Sequence, residues 1–285
     1  MACKIIVNRD SGNCKRVDIE ALACTIGCET AQIENIGKTS DWSAEGFDTV
    51  VVCGGDGTLH HAIEKCQNQQ IIYAPCGTLN ETSATESVLT SVGKINDKNF
   101  SYVCACGSFT AIGYSAKCNQ KKRWHRLAYI PQIFTQYKCH EIAATIEIDG
   151  EVFEEDNYTL LMVIKGNRCF GFDFNHSYKT NKRLYLLAIK SPGKDCLKNR
   201  IKMFFPFFRV FFCGISHPMS KKNWFLMPFD KLAVRLKDSQ DFCLDGEKIT
   251  FDGVLEISEQ RLDKEIYIIK TPFCKRRKTR LKTKK

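Results

Sequence analysis

The sequence predicts an α/β protein in which an N-terminal doubly wound parallel sheet is followed by a mostly antiparallel β domain. Through the first hundred residues, short apolar runs alternate with stretches of helical composition. From about residue 101, strand-like runs follow one another with the spacing of hairpins. The 285 residues are 44% hydrophobic, which is enough to bury a core in each of two domains of ordinary size.

Three apolar runs in the first part of the chain predict strands. They are KIIVN at 4–8, the run at 48–53, and IIYAPCG at 71–77. Their apolar residues are continuous rather than alternating, which is typical of strands buried on both faces of a parallel sheet. Because helix-like stretches separate them, we assign residues 1–100 to a doubly wound domain.

Residues 101–274 are predicted to form the second, β-rich domain. Its strand-like runs are SYVCACG, AATIEIDGEVFE, YTLLMVIKG, RLYLLAIK, KLAVRLK and GVLEISE. Their hairpin-like spacing indicates antiparallel pairing. The strongly apolar stretch 196–214 predicts a helical insertion that Pro206 interrupts.

The net charge of +10 is concentrated at the C-terminus. The last eleven residues, KRRKTRLKTKK, contain eight Lys or Arg, and the body without them is near neutral. This basic tail, residues 275–285, attracts polyanions, so anionic lipid and nucleic acid are both open, as is a solvated tail that binds nothing specific. Because no aromatic residue interleaves the tail to stack on bases, we expect no nucleic-acid partner.

Other classes of protein are not expected from this sequence. No apolar run reaches the length of a membrane span, and the N-terminal MACKIIVNRD lacks the basic-then-apolar layout of a signal peptide. We therefore expect a cytoplasmic protein whose 16 cysteines, placed singly in apolar stretches, are reduced. The close pairs Cys24/Cys28 and Cys104/Cys106 lack a second pair at zinc-site spacing.

Three glycine-marked corners follow the predicted parallel strands. They are NRDSG at 8–12, GGDGT at 54–58 and CGTLN at 76–80. Open α/β sheets bind ligands at the carboxyl ends of their strands, where backbone N–H groups and a helix N-terminus can hold phosphate. Ser11, Thr58 and Thr78 add hydroxyl donors. Since neither GxxxxGK[ST] nor GxGxxG occurs, this is not one of the usual nucleotide fingerprints.

These motifs together resemble the diacylglycerol kinase catalytic-domain family, which includes bacterial lipid kinases, sphingosine kinases and ceramide kinases. Residues 8–12 resemble its NPxSG opening, residues 54–58 match GGDGT, and residues 245–247 match a late DGE. Gly77, Thr78 and Asn80 match its GTxN motif, and ACGSFTAIGYSA at 105–116 resembles the start of its second domain. The resemblance spans residues 4 to about 270. GGDGT alone is also similar to NAD kinases, but GTxN followed by DGE favours the lipid kinases.

The resemblance implies that ATP with Mg²⁺ lies across the glycine corners, in the cleft between the domains. The side chains and backbone groups implied in nucleotide binding are Asn8, Ser11, Gly12, Thr39, Gly54, Gly55, Asp56, Gly57, Thr58, Gly77, Thr78, Asn80 and Asp245. A carboxylate beside a triphosphate is repelled unless a metal lies between them, so Asp56 is the implied magnesium ligand. The alternative for Asp56 is a helix N-cap, and the two roles can coexist.

The family places its proton acceptor near the C-terminus, which implies that Glu247 is the catalytic base and that Asp245 supports the site. Asp-Gly is also the common dipeptide of hairpin turns, so DGE by itself predicts a turn. The same three residues occur at 149–151, between two predicted strands. This earlier copy is expected to be only a turn and serves as an internal control.

We therefore predict an ATP-dependent lipid kinase, peripherally associated with membranes, that phosphorylates diacylglycerol or a related lipid. The alternatives are a catalytically weak regulatory relative that binds nucleotide or lipid, and an NAD kinase. Residues 203–212 could line the path of an acyl chain, or form a helix buried on the sheet.

The sequence departs from the family at several positions. Arg9 stands where proline is usual, and His60 and His61 stand where Asn and Glu are common. The stretch from residue 39 to residue 48 looks too short for the usual second helix. KTNKRL at 179–184 has no acid for a structural magnesium site, which favours the regulatory alternative.

Overall fold

The computed structural model describes residues 2–28, 30–37, 41–78, 80–111 and 137–274. Its first part contains four parallel strands in the order β2-β1-β3-β4. The elements are β1 (Cys3–Asn8), α1 (Ile19–Thr25), β2 (Gln32–Ile36), β3 (Thr49–Gly54), α2 (Asp56–Lys65), β4 (Gln70–Pro75) and α3 (Glu81–Thr85). The three predicted strands are confirmed as β1, β3 and β4.

Helices cover both faces of this parallel sheet. Leu59, Ala62 and Ile63 of α2 pack in one apolar cluster, and Leu22 of α1 packs in another with the opposite face of the strands. The doubly wound prediction is therefore confirmed. Strand β2 was not predicted, because it is an edge strand whose mostly exposed residues lack a continuous apolar pattern.

The second part is mostly antiparallel, as predicted. Its elements are β5 (Val88–Ile95), β6 (Lys98–Phe100), β7 (Val103–Gly107), β8 (Ile142–Ile148), β9 (Glu151–Ile164), β10 (Arg168–Cys169), β11 (Phe172–Asp173), β12 (Leu184–Lys190), α4 (Leu197–Phe211), β13 (Met219–Lys221), β14 (Trp224–Phe229), β15 (Lys231–Leu236), β16 (Gln240–Leu244), β17 (Glu247–Phe251) and β18 (Val254–Ile268). The β10–β11 hairpin pairs only with itself, while the remaining strands belong to one sheet.

Helix α4 confirms the predicted helical insertion but differs from it at Pro206. The helix runs continuously through Pro206, which is buried. Proline removes one backbone hydrogen bond from a helix interior. Here the apolar side chains on either side, Met203, Phe207 and Val210, are buried against the sheet and offset that loss.

Strand β18 joins the two parts of the molecule. It pairs antiparallel with β15 and β5 and then, at its end, parallel with β4. The buried apolar residues on the two faces of the sheet nevertheless form two sets of clusters that divide near residue 95. Residues 3–92 lie mainly in two clusters, and residues 95–257 lie in the other two. The domain boundary at 100/101 stays a prediction.

The prediction that all cysteines are reduced is wrong for one pair. Cys14 and Cys76 form a disulfide with their Cα atoms 5.1 Å apart. They follow β1 and β4 and are 62 residues apart in the chain, so only the folded sheet brings them together. The other cysteines of the described ranges are free thiols.

None of the described helices combines the length and the apolar composition that crossing a membrane requires.

Candidate functional site

The three glycine corners converge at the carboxyl ends of β1, β3 and β4 and pack directly on one another. A Cβ added at Gly12 would lie 2.5 Å from the carbonyl carbon of Gly77, and one added at Gly77 would lie 2.6 Å from the Cα of Gly55. Atoms cannot approach so closely without displacement. Gly12 and Gly77 are therefore required by contact between the corners, whatever else they bind.

Backbone hydrogen bonds also join the corners. The N–H of Asn13 donates to the carbonyl of Cys76 at 2.7 Å, and the N–H of Cys76 donates to the carbonyl of Gly54 at 2.8 Å. The Cys14–Cys76 disulfide adds a covalent link between the first and third corners. The sequence predicted three glycine corners at the carboxyl ends of the strands, and the structure joins them into one unit.

Several predicted nucleotide-binding residues have structural contacts within this unit. Asn8 donates from Nδ2 to Oγ1 of Thr58 at 3.0 Å, and Asn8 Oδ1 accepts from the N–H of Asp10 at 3.1 Å. Thr58 is buried against Gly54, where an added Cβ would overlap the Thr58 side chain. Asn8, Gly54 and Thr58 thus hold the first two corners together.

The remaining predicted residues of the corners are partly exposed. They are Ser11, Gly12, Gly55, Gly57, Thr78 and Asn80. Gly57 lies in the first turn of α2, whose leading N–H groups have no acceptor within the helix and can receive an anion. Asn80 has a left-handed backbone with φ of 50° and donates from Nδ2 to the carbonyl of Gly77 at 3.2 Å.

Asp56 acts as a helix cap, but it caps α3 rather than α2, the helix that it begins. It is the first residue of α2, and its carboxylate accepts the N–H groups of Glu81 at 2.7 Å and Thr82 at 3.2 Å. Those amides open α3, so Asp56 fixes the GTxN segment against the GGDGT corner. Burial raises the pKa of Asp56 to about 6, although the two amides act in the opposite direction.

Asp245 is held by backbone amides in the same manner. Its buried carboxylate accepts the N–H groups of Ser101, Tyr102 and Val103, the last two at 3.0 and 3.1 Å. The residue has φ of 48° and begins the two-residue turn between β16 and β17. Asp245 therefore anchors the turn to the start of β7 and holds in place the residue that follows the turn.

The residue held in place is Glu247, which is half exposed. The β16–β17 turn places Glu247 over the start of α2, where a Cβ added at Gly57 would lie 3.8 Å from its Oε1. The same oxygen lies 3.7 Å from Nε2 of His61. The structure thus brings the DGE motif to the GGDGT corner, although the two are nearly 200 residues apart in the chain.

The earlier DGE copy forms a similar turn with different surroundings. Asp149 also has φ of 50°, and its carboxylate accepts the N–H groups of Asp230 at 2.9 Å and Lys231 at 2.7 Å. A Cβ added at Gly150 would meet nothing within 4 Å. The two copies share their local geometry, and the later one differs in facing the glycine corners.

Sequence reasoning assigned no role to several residues around the site. His60 is buried with Nδ1 3.6 Å from Asp245 Oδ2. Burial lowers its pKa, but the hydrogen bond and charge of Asp245 outweigh that effect and raise the pKa overall. Glu81 is buried and accepts the N–H of Gly171 in the β10–β11 hairpin, with Arg168 Nε at 3.8 Å. In the sequence, His60 and Glu81 each lie close to a motif residue, and this closeness is the signal that could have identified them.

The described residues do not form a resident metal site. No group of three or more His, Cys, Asp or Glu side chains in these ranges is arranged to hold an ion, and both oxygens of Asp56 accept backbone amides. Magnesium bound with a nucleotide needs only one or two carboxylates, because phosphates supply other ligands. Ligation of magnesium by Asp56 stays a prediction.

The acid-free segment 179–184 is described, and its lysines pair with acids elsewhere. Lys182 Nζ lies 2.8 Å from Glu86 Oε2, and Lys179 Nζ lies 3.8 Å from Asp173 Oδ2. Thr39, the basic tail and residues 112–116 of the segment resembling the start of the second domain lie outside the described residues.

Comparison with known proteins gives a family match for the N-terminal part of the chain. Residues 3–98 match the family model described as the diacylglycerol kinase catalytic domain. This part of the chain is therefore similar to that family. The matched part contains the three glycine corners and Asp56, while Glu247 lies beyond it.

The curated relatives of this chain are distant. The diacylglycerol kinases of Staphylococcus aureus strains JH9 and Newman are 25% identical to it over 132 residues. That alignment covers 39% of this chain and only 42% of the relatives' length.

Solved structures extend the likeness to nearly the whole chain. A structure of a diacylglycerol kinase from Bacillus anthracis str. Sterne covers 95% of this chain and 97% of its own, with a TM-score of 0.63 and 16% identity. At this identity the match shows that the chain shares the two-part fold, and it shows no more than the fold.

Proposed function

We propose that this chain is an ATP-dependent lipid kinase. It transfers the γ-phosphoryl group of ATP, supplied as the magnesium complex, to a hydroxyl of diacylglycerol or a related lipid. The match of residues 3–98 to the diacylglycerol kinase catalytic-domain model supports the kinase class. The lipid acceptor is supported by the description of the Staphylococcus aureus relatives as diacylglycerol kinases.

The observation that carries the proposal is the position of Glu247 over the first turn of α2. A helix N-terminus favours negative charge, and the corner hydroxyls of Ser11 and Thr78 can donate to phosphate oxygens. A carboxylate facing that same point can accept a proton from an acceptor hydroxyl. The geometry thus supports a phosphate site and a base within one cleft.

The proposed reaction requires one proton transfer. The acceptor hydroxyl gives its proton to Glu247 as its oxygen bonds to the γ-phosphorus, and the bond from that phosphorus to the bridging oxygen of ADP breaks. Most of the rate in such transfers comes from positioning and charge stabilisation. The disulfide and hydrogen bonds that unite the corners supply that positioning, while Asp245 holds the base.

The proposal is tested by incubating the purified chain with γ-labelled ATP, magnesium and a panel of acceptors. The panel contains diacylglycerol, sphingosine, ceramide and NAD, each assayed separately. We expect label in a lipid. Label in NAD alone would replace the lipid kinase with a dinucleotide kinase, and ATP binding without label in any acceptor would favour a regulatory role.

Exchange of the proposed base gives a sharper test, because the chain contains a matched control. Glu247→Gln should lower kcat by about a hundredfold or more with little change in the KM for ATP, since a general base contributes roughly that factor. Glu151→Gln in the twin turn should leave both constants unchanged. Equal effects of the two substitutions would remove Glu247 from the mechanism.

A further inference from the structure

Helix α4 has two apolar faces, and only one of them is covered. Met203, Pro206, Phe207 and Val210 are buried against the sheet. On the opposite side lie Leu197, Ile201, Phe204, Phe205, Phe208 and Phe212, all exposed, with Phe205 and Phe212 each 67% accessible. We call these six residues the apolar face.

The spacing of the apolar face makes it one continuous stripe. Its members recur every three or four residues, so at 3.6 residues per turn they lie on one side of the helix. Stacked rings support this arrangement, with the ring centroids of Phe204 and Phe208 5.6 Å apart and those of Phe208 and Phe212 5.4 Å apart. Contiguous exposed apolar surface of this kind marks an interaction site rather than an ordinary surface.

Basic residues border the apolar face along one edge. Lys198, Lys202 and Arg209 are exposed on α4 and lie on the same side of the stripe, as the helical period requires. The helix contains no Asp or Glu. Neither Lys198 nor Lys202 forms an ion pair with an acid of the described ranges. The pattern of aromatic stripe and basic edge is that of a helix lying in a membrane interface.

We propose that the apolar face of α4 docks this protein on an anionic lipid bilayer, with the phenylalanines inserted among the acyl chains and the basic edge against the headgroups. Both parts of the surface match this partner, because a bilayer interface offers apolar depth beside a negative layer. The role of the surface in delivering a substrate rests on the proposed function, whereas the docking itself does not.

The apolar face is also connected to the glycine corners by a short series of contacts. The ring of Phe172 in the β10–β11 hairpin lies 5.2 Å from the ring of Phe212. The neighbouring Gly171 donates its N–H to Glu81, whose own N–H donates to Asp56. The β10–β11 hairpin thus lies between the apolar face and the proposed phosphate site.

The test measures co-sedimentation of the full chain with phosphatidylcholine vesicles that contain or lack phosphatidylglycerol, without ATP. Phe205→Ser with Phe208→Ser should reduce the fraction bound to phosphatidylglycerol vesicles at least about tenfold, because two apolar side chains no longer insert. Lys198→Gln with Lys202→Gln should reduce it by about tenfold and weaken its salt dependence. The control is Val152→Ser with Val254→Ser, which removes two exposed apolar residues elsewhere and should change nothing.

Thermal unfolding of each variant confirms that it is folded, which is expected because all the altered side chains are exposed. Binding of the phenylalanine variant at the level of the unaltered chain would overturn the proposal. A concentration-dependent dimer that the same variant abolishes, with vesicle binding unchanged, would assign the face to a second copy and also overturn it. Vesicle binding without phosphate transfer to any lipid would support the docking surface while refuting the proposed kinase.

Discussion

At the scale of single residues, the two aspartates of the motifs share one structural task. Asp56 and Asp245 are both buried, and each carboxylate accepts N–H groups from a distant segment of chain. A buried carboxylate without such partners costs several kcal/mol, so the amides make its burial tolerable. Each aspartate thereby joins two loops of the site, and substitution will affect the loops as well as any direct chemistry.

Asp56→Asn should therefore lower both stability and turnover. The amide side chain has one acceptor oxygen in place of two, so an N–H of Glu81 or Thr82 loses its partner at a cost of about 1–3 kcal/mol. Turnover should fall about a hundredfold or more as the GTxN segment shifts. Asp18→Asn is the control, because Asp18 caps α1 through the N–H of Ala21 away from the site. Near-normal turnover of Asp56→Asn would show that turnover depends neither on this cap nor on a direct contact of the Asp56 carboxylate.

The raised pKa of Asp56 gives a second expectation for the same variant. The carboxyl titrates near 3.8 when unfolded and at about 6 when folded, so the folded state binds the proton more tightly. The protonated carboxyl therefore contributes its full stabilisation of the fold below pH 4, and this contribution is lost as the pH rises through 6. The unaltered chain should lose about 3 kcal/mol relative to Asp56→Asn over this window, measured by urea unfolding at several pH values. A constant difference would contradict the assignment.

At the scale of elements, the glycines of the corners fall into two groups. Gly77 is enclosed by the Gly55 backbone and by the side chain of Asn80, 2.5 Å from an added Cβ. Gly57 has room, since an added Cβ would lie 3.5 Å from the carbonyl oxygen of Asp245. The first glycine is needed for the packing of loops, whereas the second leaves space at the proposed phosphate site.

Paired alanine substitutions should separate these two roles. Gly77→Ala should destabilise the fold by more than about 2 kcal/mol, because backbone must move to admit the methyl group. Gly57→Ala should be neutral or stabilise by up to about 1 kcal/mol, since alanine favours the helix. It should nevertheless raise the KM for ATP about tenfold by occupying the approach to α2. Unfolding and steady-state kinetics measure both, and an unchanged KM for Gly57→Ala would move the phosphates away from α2.

At the scale of the whole molecule, the two parts are joined by a shared sheet rather than by a flexible linker. Strands β4 and β18 pair across them. Within the second part, the buried Lys165, which directly follows β9, lies 2.8 Å from Glu259 of β18, and Ser91 of β5 also donates to Glu259. The cleft and the apolar face of α4 therefore belong to one continuous framework.

The charge of the whole molecule leads to a prediction for the basic tail. Deleting residues 275–285 should leave the free energy of unfolding within about 0.5 kcal/mol, because a segment so rich in Lys and Arg is not expected to enter a core. It should weaken sedimentation with anionic vesicles, because eight Lys or Arg are removed. Binding to neutral vesicles, which depends on the apolar face of α4, should persist. Undiminished binding to anionic vesicles would reduce the tail to a solvated end.

The sequence alone determined the fold class and the motifs of the site. Continuous apolar runs ending in glycine corners are a local pattern, because burial on both faces and tight turns constrain each residue separately. That pattern identified β1, β3 and β4 and the three corners. The resemblance then singled out Glu247 over Glu151, a choice that local chemistry could not make because both belong to the same kind of turn.

Only the tertiary structure decided which distant residues meet. The Cys14–Cys76 disulfide, the capping of α3 by Asp56 and the approach of Glu247 to Gly57 all join segments separated by 25 or more residues. Such contacts depend on strand order and loop geometry, which no local pattern encodes. For the same reason the apolar face of α4 was hidden in the sequence. A helix with apolar residues on two sides could be buried by either of them, and only the packing of α4 against the sheet shows which side is exposed.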